Sequence, residues 1–103
     1  GDIGSTAYNA AKGGVVNFTR SVADDMAEEN IRVNSVCPGF VKTPMTEKVL
    51  EDEEFREHVM TQTPMKRVAE PEEISGAVIF LASEDASYIT GVNLPVDGGW
   101  TSH

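Results

Sequence analysis

The spacing of apolar residues in the first third of the chain predicts one long helix. Hydrophobic side chains recur three and four positions apart between residue 7 and about residue 29, as they do along the buried stripe of a helix. Asn30 follows the last turn and tolerates the left-handed backbone conformation that ends many helices. The stripe is formed by Val15, Phe18, Val22 and Met26.

Two further segments have the pattern of β-strands. Residues 31–37 alternate polar and apolar side chains, and the Pro38-Gly39 dipeptide stops this strand. Residues 92–96 form the second strand pattern, which ends at Asp97-Gly98-Gly99. We therefore expect one strand directly after the long helix and a second near the end of the sequence.

The residues between the two strands divide into an irregular segment and a helix. Residues 38–70 hold two short helical patterns at residues 46–50 and 53–60 among turn-forming residues. Such segments often cover a binding site, although they also serve as plain surface covering. Residues 71–82 predict a helix, because proline suits the first helical position and the glutamates after it favour the positive end of the helix dipole.

This order of elements is typical of an α/β fold with parallel strands. A sheet of two strands is too small to pack one helix on each of its faces. We therefore expect the fold to need further strands. No repeat or linker divides the sequence, and residues 1–103 are predicted to belong to a single domain.

Charge and composition narrow the class of partner. The formal net charge is −9, and such a field repels polyanions, so neither nucleic acid nor an anionic membrane is expected as the main partner. The acidic runs 51–54 and 70–73 are interpreted as solvated faces. Cys37 has no second cysteine to pair with. This fact, together with the lack of an apolar run of about 20 residues or a secretory leader, predicts a cytoplasmic protein. We expect no metal site.

The segment Tyr8-Asn9-Ala10-Ala11-Lys12 carries the strongest chemical signal. Residues four apart lie on one face of a helix, so the Tyr8 phenol and the Lys12 ammonium can converge on one ligand. A phenol has a pKa of about 10, and a nearby cation lowers it toward the range of a general acid or base. Alternatively, the phenol packs at a boundary and the lysine stays in water. Gly13 and Gly14 weaken the helix directly after Lys12, which indicates a close approach to the backbone.

Taken together, these motifs resemble the short-chain dehydrogenase/reductase family, in the group that includes 3-oxoacyl carrier-protein reductases and bacterial sugar and steroid dehydrogenases. The resemblance covers essentially the whole sequence and matches the C-terminal part of the family. It implies the C-terminal portion of a Rossmann-like doubly wound parallel sheet, without the N-terminal nucleotide-binding half. The motifs that carry it are Y-N-A-A-K with G-G, R-V-N-S-V, P-G-F-V-K-T-P and G-V-N-L-P-V-D-G-G.

The resemblance also implies a set of site residues. Tyr8 is expected to be the catalytic acid or base, and Lys12 to contact the nicotinamide ribose and lower the pKa of the tyrosine. The Pro38-Gly39 turn is expected to line the nicotinamide pocket, and the Val41 backbone and the Thr43 hydroxyl to meet the carboxamide or the phosphates of NAD or NADP. The alternatives are a strand stop at Pro38-Gly39 and a helix cap or turn hydroxyl at Thr43.

The family also implies small-molecule carbonyl or alcohol substrates and a homodimer or homotetramer. Residues 45–67, the lid segment, look like the family's variable substrate lid. In this segment, Met45, Val49 and Leu50 line the substrate pocket or serve as ordinary packing, and the sequence leaves both interpretations open. The family's glycine-rich turn, catalytic serine and asparagine lie upstream of the matched residues. We therefore expect these residues to be part of a longer oxidoreductase. The alternative is an inactive fragment that acts as an oligomerisation or binding module. The choice between NAD and NADP, the substrate and the reaction direction stay open.

Overall fold

The structure is a computed structural model that describes the backbone of residues 3–100 and the side chains of residues 13–100. Helices and strands follow one another in an α/β order. The α-helices are α1 (Ile3–Met26), α2 (Pro44–Val49), α3 (Glu53–Gln62) and α4 (Pro71–Ala82), the strands are β1 (Ser35–Pro38) and β2 (Asn93–Val96), and short 3₁₀ helices span Ala27–Glu29 and Glu84–Ala86.

The two strands pair with each other in the order β1-β2. The Ser35 N–H donates to the Val92 carbonyl at 2.9 Å, and four residues later the Gly39 N–H donates to the Val96 carbonyl at 3.1 Å. From the first hydrogen bond to the second, both strands advance by four residues in the same direction, as parallel strands do. The predicted α/β class with a parallel sheet is therefore confirmed.

The chain forms two compact units. The first comprises the residues up to Ser35 together with Ser83–Leu94, and the second comprises Val36–Ala82 together with the residues from Pro95 onward. Compact units of this kind can belong to one domain, so the single domain over residues 1–103 stays a prediction.

In the first unit, α1 begins earlier than its sequence pattern indicates, and its buried residues differ from the predicted stripe. Among the described side chains of α1, those of residues 13–26, Thr19 and Ala23 are buried, whereas Val15 and Phe18 are exposed. Ala23 is buried because the Gly91 turn packs on it: a Cβ atom on Gly91 would lie 3.6 Å from the Ala23 Cβ. The predicted stripe is therefore wrong for the described structure, since the contact that buries α1 comes from residues far away in sequence.

The strand that follows α1 is shorter than predicted. Asn30 adopts φ 59° and ends the helical segment as expected, but β1 begins only at Ser35. Directly before β1, side chains form hydrogen bonds with backbone groups that would pair with each other in a longer strand. The Val33 N–H donates to the Thr90 hydroxyl at 3.1 Å, and the Asn34 side-chain oxygen accepts the Val92 N–H at 3.0 Å. The Val33 carbonyl still accepts the Gly91 N–H at 2.8 Å, so these side-chain bonds take the place of only part of the strand pairing at residues 33 and 34.

The second unit contains the lid segment and α4. Both short helices of the lid segment are confirmed: Thr43 caps α2, and the Asp52 side chain caps α3 by accepting the Phe55 N–H at 3.1 Å. The Val59 side chain, 1% exposed, fixes α3 in the interior of this unit. Helix α4 begins at Pro71 and ends at Ala82, as the sequence predicts.

Candidate functional site

The predicted site residues fall in different parts of the two units. Tyr8 and Lys12 lie one turn apart in α1, within the first unit, and their side chains lie outside the described residues. Pro38, Gly39, Val41 and Thr43 follow one another from the end of β1 to the start of α2, in the second unit. The structure therefore brings these four together on the segment of residues 38–43, and the convergence of Tyr8 and Lys12 stays a prediction.

The Pro38-Gly39 turn lies at the carboxyl end of the paired strands. The Gly39 N–H donates to Val96, the last residue of β2, at 3.1 Å. A Cβ atom on Gly39 would lie 3.0 Å from both Cα and Cβ of Asp97, so glycine is needed here to let two chain segments approach closely. In open α/β sheets, the carboxyl edge of the strands is where ligands bind.

Val41 has backbone groups that the fold leaves available. It forms an isolated parallel bridge with Ala69. The bridge uses the Phe40 carbonyl, which accepts the Ala69 N–H at 2.8 Å, and the Lys42 N–H, which donates to the Ala69 carbonyl at 2.8 Å. Neither the N–H nor the carbonyl of Val41 takes part in a backbone hydrogen bond within residues 3–100. One donor and one acceptor next to the Pro38-Gly39 turn therefore remain for a ligand.

Thr43 has the helix-cap role that the sequence left open. Its hydroxyl oxygen accepts the Thr46 N–H at 3.1 Å and lies 2.9 Å from the Thr46 hydroxyl oxygen. A hydroxyl that accepts one hydrogen bond still has a proton to donate. The cap therefore fixes the position of Thr43 and leaves its O–H for Thr46 or for a ligand.

Contacts among four aromatic rings join the segment of residues 38–43 to the lid segment and to the residues after β2. The Phe40 ring centroid lies 5.8 Å from that of Phe55 in an edge arrangement, and 5.8 Å from that of Trp100. The His58 ring meets Trp100 edge-on at 6.3 Å. Sequence reasoning missed Phe40, although an aromatic residue directly after Pro38-Gly39 was visible as a signal.

A cavity of about 90 Å³ lies beside Phe40 in the second unit. Its walls combine apolar side chains with an ion pair and the turn after β2. The lining residues are Phe40, Thr63, Met65, Arg67, Ala69, Glu73, Val96, Asp97 and Gly98.

Arg67 and Glu73 form a two-pronged ion pair at this cavity. The guanidinium nitrogens lie 2.6 and 2.8 Å from the two carboxylate oxygens, and the Glu70 N–H donates to the same carboxylate at 2.9 Å. The hydrogen bond from Arg67, followed by that from the Glu70 N–H, lowers the pKa of Glu73 to about 2. The pair joins the end of the lid segment to the first turn of α4, and it was not predicted from the sequence, where only the acidic run pointed to this region.

This ion pair predicts a stability difference that depends on pH. Because the pKa of Glu73 is lowered from 4.5 to about 2, its stabilising effect is fully present above about pH 4.5 and is lost as the pH falls toward 2. In urea unfolding of the full-length protein, Glu73→Gln should lower the midpoint at neutral pH, and the gap from the wild type should close toward pH 2. Glu72→Gln removes a neighbouring charge from the same helix turn and is the matched control. A gap that is equally large at pH 2 and pH 7 contradicts the role of the pair.

Other kinds of site find no support in the described residues. Cys37 is half-buried and unpaired. Within the part of the chain that the structure describes, no three His, Cys, Asp or Glu side chains are grouped to hold a metal ion. Over the same residues, the helices fall short of the length and apolar character that crossing a membrane requires.

Comparison with known proteins gives matches along almost the whole sequence. Residues 3–101 match the family model described as enoyl-(acyl carrier protein) reductase. The chain is 46% identical over 99 residues to a 3-oxoacyl-[acyl-carrier-protein] reductase of Thermotoga maritima, with 96% of this chain and 39% of that protein covered. It is 49% identical over 102 residues to meso-2,3-butanediol dehydrogenase of Serratia marcescens, with 99% and 40% covered. The chain thus spans about two fifths of the length of these relatives.

Solved structures agree with these matches. An Agrobacterium tumefaciens dehydrogenase with bound NADP superposes with a TM-score of 0.87 at 38% identity, over 93% of this chain and 39% of that chain. A 4-hydroxyisoleucine dehydrogenase solved with NADH gives a TM-score of 0.88 at 32% identity, over 95% and 40% of the respective chains.

Proposed function

The chain belongs to the short-chain dehydrogenase/reductase family, and on this premise we propose that it works as part of an NAD(P)-dependent oxidoreductase acting on a carbonyl or alcohol substrate. The observation that carries the proposal is the family match over residues 3–101. The matched residues include Tyr8 and Lys12 at the spacing of one helical turn and the turn that follows β1.

Tyr8 is the proposed acid and base. In the direction of reduction, the Tyr8 hydroxyl gives its proton to the carbonyl oxygen of the substrate as the carbonyl carbon is reduced. In the direction of oxidation, the phenolate takes the proton of the alcohol. Lys12, four residues later in α1, stabilises the phenolate and binds the nicotinamide ribose.

The segment of residues 38–43 has the groups that a nicotinamide cofactor needs. NAD(P) supplies or accepts the hydride when bound. A carboxamide has one acceptor and two donor hydrogens, which match the available N–H and carbonyl of Val41. The Thr43 O–H can donate to the carboxamide or to a phosphate, and the Pro38-Gly39 turn provides a wall for the ring. Solved relatives that hold NADP or NADH support either cofactor.

We assign substrate contacts to the lid segment, residues 45–67. The Met45 side chain is 77% exposed and that of Val49 is 44% exposed on α2, so both have apolar surface to offer a ligand. With Leu50, they form the proposed apolar side of a pocket for a small carbonyl or alcohol compound. The net charge of −9 supports a small molecule rather than a nucleic acid as the partner.

Exposed apolar side chains support a homo-oligomer in the full-length protein. Phe18 on α1 is 69% exposed and Ile79 on α4 is 68% exposed, so both helices offer apolar surface to a second copy or to the rest of the full-length protein. These helices are the proposed contacts of a dimer or tetramer. The same exposure favours the alternative function of an inactive binding module.

A cytoplasmic location is proposed from the lone cysteine.

A direct assay tests the oxidoreductase. Purified full-length protein is mixed with NADH or NADPH and a panel of 3-oxoacyl thioesters, diketones and small ketones, and the absorbance of the reduced nicotinamide is followed. We expect carbonyl-dependent oxidation of at least one dinucleotide. A protein that binds neither dinucleotide contradicts the proposal. A stable complex with an intact relative in size exclusion, without turnover, supports the binding module.

A further inference from the structure

We propose that Phe40 is a positioning residue that links lid helix α3 to the nicotinamide-binding segment of residues 38–43. The inference rests on the proposed function, since it concerns how this segment holds the nicotinamide end of the cofactor. Phe40 lies between Gly39 and Val41, so any force on its ring acts on the backbone that the cofactor would meet.

The backbone of Phe40 is fixed on both sides. Its carbonyl accepts the Ala69 N–H at 2.8 Å, and the preceding Gly39 N–H donates to the Val96 carbonyl at 3.1 Å. The close approach of Gly39 to Asp97 leaves little room for adjustment. With the main chain fixed in this way, the contacts of the Phe40 ring with Phe55 and Trp100 set where the ring lies relative to the segment of residues 38–43.

The ring of Phe40 is held by α3 of the lid segment. Phe55, in the first turns of α3, meets it edge-on with an interplanar angle of 75°, the arrangement that aromatic pairs prefer. His58, one turn later, contacts Trp100, and Trp100 contacts Phe40. Two rings of α3 thus reach Phe40, one directly and one through Trp100. The position of α3 and that of the segment of residues 38–43 are set by the same cluster.

The size of the Phe40 side chain matters for packing, because Phe40 lies beside a cavity. Phe40 forms part of the wall of this space of about 90 Å³, together with Met65 from the end of the lid segment and Val96 from β2. A smaller side chain at position 40 would enlarge the cavity and leave Phe55 without its partner. The neighbouring lid segment and the main chain of residues 39–41 would then be held less firmly.

The test compares two ligands that differ only in the nicotinamide end. In the full-length protein, Phe40→Leu should weaken binding of NAD(P)H about five- to tenfold, an effect of the size expected for lost ring contacts. Binding of ADP-ribose, or its 2′-phosphate for an NADP enzyme, should change less than twofold, because these ligands lack nicotinamide. Phe55→Leu should have the same selective effect, and the double variant should add little to either single change.

Controls separate positioning from general stability. Leu81→Val enlarges the buried interior at α4, in the same unit, and should lower thermal stability without changing the ratio of the two affinities. If Phe40→Leu does not fold, the affinities for NAD(P)H and for ADP-ribose are compared in Phe40→Tyr and Phe55→Leu instead. Equal weakening of both ligands, or no weakening of either, overturns the inference. A wild-type protein that binds neither ligand instead contradicts the proposed function.

Discussion

Replacement of Tyr8 by phenylalanine is expected to lower turnover by about 10²- to 10⁴-fold, the contribution typical of a positioned general acid or base. The substitution removes one oxygen and keeps the aromatic ring. Binding of NAD(P)H should therefore stay within a fewfold of the wild type. Steady-state kinetics of the full-length protein, combined with a dinucleotide titration, measure both quantities.

The second tyrosine of the chain supplies the matched control. Tyr88 is fully exposed in the described structure and has no proposed part in the reaction. Tyr88→Phe removes the same hydroxyl from a different surface and should leave turnover unchanged. Lys12→Met should move the pH profile of turnover toward higher pH, because the phenolate loses its neighbouring cation. Wild-type turnover in Tyr8→Phe would refute the assignment of Tyr8.

Replacement of Gly98 by alanine is expected to destabilise the full-length protein by about 2 to 4 kcal/mol, as the sum of left-handed backbone strain and overpacking. Gly98 has φ 63°, a conformation that residues with a Cβ atom rarely adopt. The added Cβ atom would also lie 2.9 Å from the Thr63 Cγ2 atom. The Gly98 carbonyl accepts the Met65 N–H at 3.0 Å, so the strain reaches the end of the lid segment.

A second substitution separates the two causes. Thr63→Ser removes the Cγ2 methyl group and keeps the hydroxyl that donates to the Val59 carbonyl at 2.7 Å. Gly98→Ala should cost less in this background, because only the backbone strain remains. Gly76→Ala is the matched control, since a Cβ atom there meets nothing within 4 Å and alanine favours a helix interior. Urea unfolding of the four variants gives the comparison. Equal costs of Gly98→Ala in both backgrounds contradict the steric part of the account.

Local sequence signals predicted the ends of elements well. Pro71 with its following glutamates predicted the start of α4, and Asn30 predicted the left-handed end of the segment after α1. Both signals depend on the backbone of a few neighbouring residues. The helices of the lid segment were also predicted within two residues at each end. Such features depend little on distant parts of the chain.

Predictions that needed distant partners failed. Residues 31–34 alternate like a strand, but Asn34 and Thr90 satisfy the local backbone through their side chains. The α1 stripe was assigned to large apolar residues, yet Thr19 and Ala23 are the buried ones. The contacts at Val33, Asn34 and Ala23 come from residues 90–92, more than fifty positions away.

The residues of the candidate site also fall into two groups, those expected from the sequence and those found only in the structure. The family resemblance placed Pro38, Gly39, Val41 and Thr43 on one segment, and the structure adds the reasons that Gly39 is needed and that the backbone of Val41 is available. The roles of Tyr8 and Lys12 stay predictions, which rest on their spacing and on the family match. Phe40, with its ring contacts to Phe55 and Trp100, was found only in three dimensions.

The sequence by itself determined the order of helices and strands and the family, and it predicted the residues proposed to carry the chemistry, because these follow from short-range spacing and from motifs. Only the tertiary structure decided which face of α1 is buried, where β1 begins, and how Phe40, Arg67 and Glu73 tie the lid segment to the rest of the second unit. Those features depend on ring geometry, on hydrogen bonds and on close backbone approach between segments that are far apart along the chain.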